Sequence, residues 1–123
     1  MGSPCTIDVD IAGYDEEVYK NIIIAHKSLF CGECNEKIKK GEKYEDYAGK
    51  YEGRIFKHVT CIDCISIREQ FFDSYCCGDI WENFEDFLYD EEGEVLEECI
   101  SALTPRAREK VFEMMEKIWK DQE

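Results

Sequence analysis

Histidine is scarce: the 123 residues hold only His26 and His58. A nuclease of the histidine-rich zinc type needs several in its hairpin and helix. A zinc deaminase needs a His-x-Glu ahead of its cysteine pair. Neither pattern is present, so the chain reads as a non-enzyme. Long apolar runs are missing too: Ile22-Ile23-Ile24-Ala25 is far short of the ~20 residues a membrane helix requires. No signal-peptide pattern, low-complexity tract or internal repeat is visible. These absences predict one globular domain over residues 4–123 in a cytoplasmic, reducing setting. Met1-Gly2-Ser3 reads as an expression remnant outside the fold.

Basic residues are missing from one stretch in particular. Residues 66–104 carry twelve acidic side chains and a single basic one, Arg68, whereas residues 31–65 carry seven of each. The net charge of −14 is therefore concentrated in one half of the chain. Such a surface repels phosphate and favours basic partners.

What the sequence does contain is cysteine, eight in all. Cys31-Gly32-Glu33-Cys34 and Cys61-Ile62-Asp63-Cys64 form two Cys-x-x-Cys pairs with 26 residues between them. Each pair offers two sulfurs from one turn, and tetrahedral Zn²⁺ takes two such pairs. The reading is one structural Zn²⁺ on Cys31, Cys34, Cys61 and Cys64. Gly32 is expected to let the first turn close tightly. Thr60 is expected to cap a helix, with Asp63 completing a capping box, which puts Cys61 and Cys64 in its first turn. His58 stands at ligand spacing from Cys61 and remains an alternative fourth ligand. A thioredoxin-like role would need a βαβ context, which is missing. Cys5, Cys76, Cys77 and Cys99 read as thiols of the core, the turns and the chain end.

Around the cysteines, apolar periodicity predicts an α+β fold. Residues 4–30 read as N-terminal strands, at Thr6–Ile11 and Glu17–Ala25. Residues 31–76 read as the zinc unit: a knuckle, a hairpin of Lys43–Tyr47 and Arg54–Val59 with Gly49 and Gly53 in its loop, and a helix from Thr60 to about Tyr75. Residues 79–121 read as an acidic helical extension. Asp79 caps its first helix, and Val95, Leu96, Cys99, Ile100 and Leu103 stripe its second. Thr104-Pro105 starts its last, whose face is Ala107, Val111, Met114, Met115, Ile118 and Trp119.

Knuckle, hairpin and ligand-bearing helix come in the order of a treble clef. Cys31-x-x-Cys34, Ile38-x-x-Gly41-Glu42-x-Tyr44 and Thr60-Cys61-x-x-Cys64 resemble small treble-clef proteins encoded by bacteriophages. Ile67–Phe72 and Leu103–Arg108 are similar to that group as well. The resemblance implies a zinc-binding phage protein and no particular activity. With the charge pattern, it leads to an expected role in protein–protein interaction, as an inhibitor or modulator of a host defence protein. The partner would present a basic surface to Glu82, Glu85, Asp86, Asp90, Glu91 and Glu92, with Trp119 as an anchor. The alternative is nucleic-acid binding through Lys37, Lys39, Lys40 and Lys43, and a zinc-dependent nuclease ranks behind it.

Overall fold

The computed structural model describes residues 5–7, 16–73, 75 and 77–121. Its elements are β1 (Glu16–Ile24), β2 (Leu29–Phe30), β3 (Lys37–Ile38), β4 (Lys43–Tyr51), β5 (Arg54–Cys61), α1 (Ile62–Phe71), α2 (Ile80–Asp90), α3 (Glu97–Ser101) and α4 (Pro105–Asp121). The fold is α+β. Strands β1, β4 and β5 form an antiparallel sheet in the order β1-β4-β5, and β2 pairs with β3 in a small ribbon.

The hairpin is tighter than the sequence suggests. Strand β4 runs on through Gly49, which lies opposite Phe56, and the last pair is Tyr51 with Arg54. Only Glu52 and Gly53 form the turn, and both have positive φ, 50° and 79°. Two left-handed residues match the natural twist of paired strands, so a two-residue connection suffices. Of the expected strand at Thr6–Ile11, Ile7 makes one parallel bridge to Phe72, and residues 8–11 lie outside the described residues.

Helix α1 stops at Phe71, short of the expected end near Tyr75. The reason lies at the other end of the chain. Ile7 donates its N–H to the Phe71 carbonyl at 2.7 Å, and Phe72 turns to extended geometry beside it. A helix carbonyl taken by a distant segment leaves a natural stopping point.

The four helices enclose the larger core, in which Ile67, Phe71, Ile80, Phe84, Leu88 and Val111 are fully buried. Phe84 meets Phe71 edge-on, with ring centroids 4.9 Å apart, a favoured arrangement for aromatic pairs. Helix α4 buries Ala107, Val111, Met115 and Ile118 on one stripe and leaves Phe112 and Trp119 largely outside. The second stripe is shorter than expected: α3 spans five residues and buries Cys99 and Ile100, while Leu96 is exposed. Thr104 does cap α4, its hydroxyl accepting the Ala107 N–H at 3.4 Å.

Sheet and helices are joined by a buried ion pair. The Arg68 guanidinium in α1 donates to both carboxylate oxygens of Glu45 in β4, at 2.8 and 2.5 Å. Both side chains are 3% exposed. The fork-to-fork geometry satisfies the carboxylate and fixes the angle at which α1 crosses the strand. It also removes Arg68, the one basic residue of 66–104, from the balance of surface charge.

One cysteine expectation is corrected. Cys5 is bonded to Cys99 in a disulfide across a sequence separation of 94. Both residues are buried in the helical core. Nothing in their local spacing could announce a pair so far apart; only the tertiary fold brings α3 beneath the N-terminal segment. Among the described residues no helix is long and apolar enough to cross a membrane.

Candidate metal centre

A second, smaller core surrounds the cysteine pairs: Ala25, Cys31, Ile38 and Cys64, flanked by Leu29, Tyr44, Val59 and Trp81. The ribbon β2–β3 holds the first pair. The Cys31 N–H donates to the Glu36 carbonyl and the Asn35 N–H to the Cys31 carbonyl, both at 2.9 Å, closing the turn between the two strands. The left-handed residue of this turn is Asn35, with φ of 60°, not Gly32. Gly32 serves a different purpose from the one expected. A Cβ there would lie 2.5 Å from the His58 ring, so glycine is required for the close approach of that imidazole.

The second pair sits where β5 passes into α1. Cys61 is both the last residue of β5 and the N-cap of α1, and Cys64 lies within the first turn. Thr60 is therefore not the cap. It belongs to β5, opposite Glu45, and among the described residues its buried hydroxyl has no hydrogen-bond partner. The expected capping box is also redirected. Asp63 accepts the Thr104 hydroxyl at 2.7 Å and so braces the start of α4.

These two anchors bring all four sulfurs together. Cys31 and Cys64 sulfurs are 3.8 Å apart, as are those of Cys34 and Cys61. All four lie within 4.8 Å of one another. A tetrahedral ion with metal–sulfur bonds of about 2.3 Å requires sulfur–sulfur edges of about 3.8 Å. The donor set thus fits a metal ion in chemistry and in spacing. Among the described residues, no other group of cysteine, histidine or carboxylate side chains converges in this way. Cys76 lies outside the described residues, and Cys77 is half-buried in the turn before α2.

Crowding shapes the acidity of the cluster. The Cys31 thiol is held far below its ordinary range by hydrogen bonds from Cys34, Cys61 and Cys64. The Cys64 thiol is pushed far above its range by Cys31, Cys34 and Cys61. Four sulfurs this close cannot all ionise without a cation between them. Outer donors favour the thiolate form. The backbone N–H groups of Glu33 and Cys61 each donate to the Cys31 sulfur at 3.3 Å. The Trp81 indole N–H donates to the Cys64 sulfur at 3.1 Å. The outer face of that indole carries the Lys110 ammonium, 4.6 Å from the ring centroid.

His58 is not brought into this cluster. Its Nε2 lies 2.7 Å from a carboxylate oxygen of Glu33. The same Glu33 side chain accepts the Gly78 N–H at 2.8 Å and the Ile80 N–H at 3.3 Å. A residue inside the first cysteine turn therefore caps α2, in place of the expected Asp79, which occupies the N-cap position without a side-chain bond. No sequence rule could have found this cap, because its acceptor lies 47 residues away.

The expected partner-binding acids, Glu82, Glu85, Asp86, Asp90, Glu91 and Glu92, are all exposed. The expected anchor Trp119 is 45% exposed, and its indole lies against Gly93, within 2.6 Å of where a Cβ would stand. Lys37, Lys39, Lys40 and Lys43 are exposed as well, but Glu36 and Glu42 alternate with them. Glu42 accepts the Lys39 backbone N–H at 2.6 Å.

No protein-family model matches the chain, and neither the curated proteins nor the solved structures contain a match to it.

Proposed function

We propose that the four sulfurs hold one structural Zn²⁺, that the turn, hairpin and helix around it form a treble clef, and that the protein acts without catalysis by binding a basic surface on another protein. Four thiolates in tetrahedral spacing suit zinc, and they leave no ligand position for a reactive water. The ion would contribute folding energy: it would tie β2–β3 to the β5–α1 junction, where the surrounding core is small.

The observation that carries the binding reading is an acidic face without compensation. Glu82, Glu85, Asp86 and Asp90 recur at helical spacing on the side of α2 away from the buried Ile80, Phe84 and Leu88. Glu91 and Glu92 follow at the helix end and are exposed as well. Among the described residues none of the six forms an ion pair. Acids at a helix C-terminus oppose the helix dipole, and α2 has no basic residue in its last turn. A local arrangement that works against stability is expected where function requires it. Trp119 adjoins the same end of the face through Gly93, so an aromatic anchor and the acids can meet one partner together.

The further reading, a phage-encoded inhibitor of a host defence protein acting in the host cytoplasm, rests on the resemblance in the cysteine pairs and on the likeness of an acidic face to a row of phosphates. The test is reversal of Glu85, Asp86, Glu91 and Glu92 to Lys, with the fold checked by zinc content. Capture of a basic protein from host lysate should be lost in the variant, and the wild-type complex should weaken as salt rises. Unchanged capture would contradict the reading. Tight binding of wild-type protein to DNA or RNA at physiological salt would instead place the interaction on the lysine-rich hairpin.

A further inference from the structure

The four clustered sulfurs are not equally reachable. Cys31 and Cys64 are buried, at 2% and 0% exposure, whereas Cys34 and Cys61 are half-buried. Each of the half-buried pair lines a cavity: Cys34 one of about 270 Å³ shared with Trp81 and Lys110, and Cys61 one of about 420 Å³ shared with Ile38 and Ile62. One water needs only ~10–15 Å³ of such space, so small molecules reach both residues. Cys64 borders the first cavity too, but it has no exposed surface and its sulfur takes the Trp81 indole N–H. The Cys34 and Cys61 sulfurs stand 3.8 Å apart.

The rim of the first cavity selects a class of reagent. Glu36, Asp63, Glu109 and Glu113 outnumber Arg106 and Lys110 there, and Arg106 is already engaged by Glu36 at 3.2 Å and Asp63 at 3.8 Å. Such a rim disfavours anions and leaves small uncharged molecules unhindered. Accessible thiolates react with uncharged peroxides.

The cluster is also tied to α2. Glu33, inside the first cysteine turn, accepts the Gly78 and Ile80 N–H groups, and Trp81 donates to the Cys64 sulfur. Both contacts fall at the start of α2, while the buried Phe84 and Leu88 hold its later turns in the larger core. Opening the cysteine turn therefore loosens the start of the helix and leaves its end in place.

We propose that Cys34 and Cys61 are a site of oxidation by hydrogen peroxide, and that the disulfide formed there releases the metal and uncaps α2, where the acidic face begins. Zinc on the four sulfurs, as proposed above, is the premise, and this step adds its regulation. The Cys34 thiolate attacks one peroxide oxygen, the oxygen–oxygen bond breaks, and the departing hydroxide takes a proton to become water. The Cys61 thiolate then attacks the Cys34 sulfenic sulfur and forms the sulfur–sulfur bond. The second hydroxide leaves and is protonated in turn. Two electrons pass from the two sulfurs to the peroxide, and two waters form. Cys31 and Cys64 are then the only sulfur ligands left, and two do not complete a tetrahedral zinc site. The Cys31–Cys34 turn loses its anchor and takes the Glu33 cap with it.

The test treats the full-length, zinc-loaded chain with hydrogen peroxide and follows zinc release, disulfide mapping by mass spectrometry, and amide exchange by nuclear magnetic resonance. Zinc content before peroxide reports on the metal alone. Peroxide should release the zinc and join Cys34 to Cys61. Exchange at Ile80 and Asn83 should quicken roughly tenfold or more, while Leu88 stays protected. Reductant added with Zn²⁺ should restore the starting state, which separates a disulfide from methionine oxidation. Zinc retained through excess peroxide, a disulfide within either Cys-x-x-Cys pair in place of Cys34–Cys61, or an α2 start unchanged after zinc loss would each overturn the proposal. A chain without zinc at the outset would overturn the metal reading and this step with it.

Discussion

Glu33 and His58 are partners: the carboxylate and imidazole lie 2.7 Å apart, and the Glu33 side chain is only 1% exposed. This contact favours a supporting role for His58 over the ligand role that spacing left open. An imidazole whose Nε2 is engaged by a buried carboxylate, and which is stacked on Gly32, supports the cysteine turn from outside. His58→Ala should therefore retain the metal, while Cys64→Ser should lose it. Metal analysis of the two purified variants checks this, and the opposite pattern would favour a set of three cysteines and His58.

Thr60 supplies a second test. Its hydroxyl is buried, caps nothing and has no hydrogen-bond partner among the described residues. Replacing an unsatisfied buried hydroxyl by a methyl group of similar shape is neutral or stabilising. Thr60→Val should leave the unfolding midpoint unchanged or raise it. A true N-cap would instead lose about 1 kcal/mol on such a change, so denaturant unfolding separates the two.

Most of the cysteine site was legible in the sequence, and most of its support was not. Cys-x-x-Cys spacing is a local property, and it identified all four sulfurs. The N-terminus of α4 was also local, because Thr104 and Pro105 are adjacent in the chain. The caps and braces that depend on tertiary contact were invisible. Glu33 caps α2, Asp63 braces α4, and Glu45 consumes Arg68, each across a long sequence separation. The density of β-branched residues located β1, expected at Glu17–Ala25 and found at Glu16–Ile24, but not its exposure, which depends on what packs over the strand.

The Cys5–Cys99 disulfide ties the N-terminal segment to the helical core and closes a long loop. Loops of this length make a native disulfide worth about 2–5 kcal/mol. Cys99→Ser should lower the unfolding midpoint accordingly and leave zinc stoichiometry unchanged, because Cys99 is not part of the metal cluster. Thermal unfolding with metal analysis of the same sample checks both halves. Loss of zinc together with the disulfide would show that the two cores do not keep their thiols apart.

On the proposed function, Cys31, Cys34, Cys61 and Cys64 hold one structural zinc ion. Native mass spectrometry of protein purified without chelator tests it most directly. One zinc per chain is expected, released on unfolding or by a strong chelator together with loss of the β5–α1 structure. A folded chain that carries no zinc, and whose four cysteines react freely with a thiol reagent under native conditions, would contradict it.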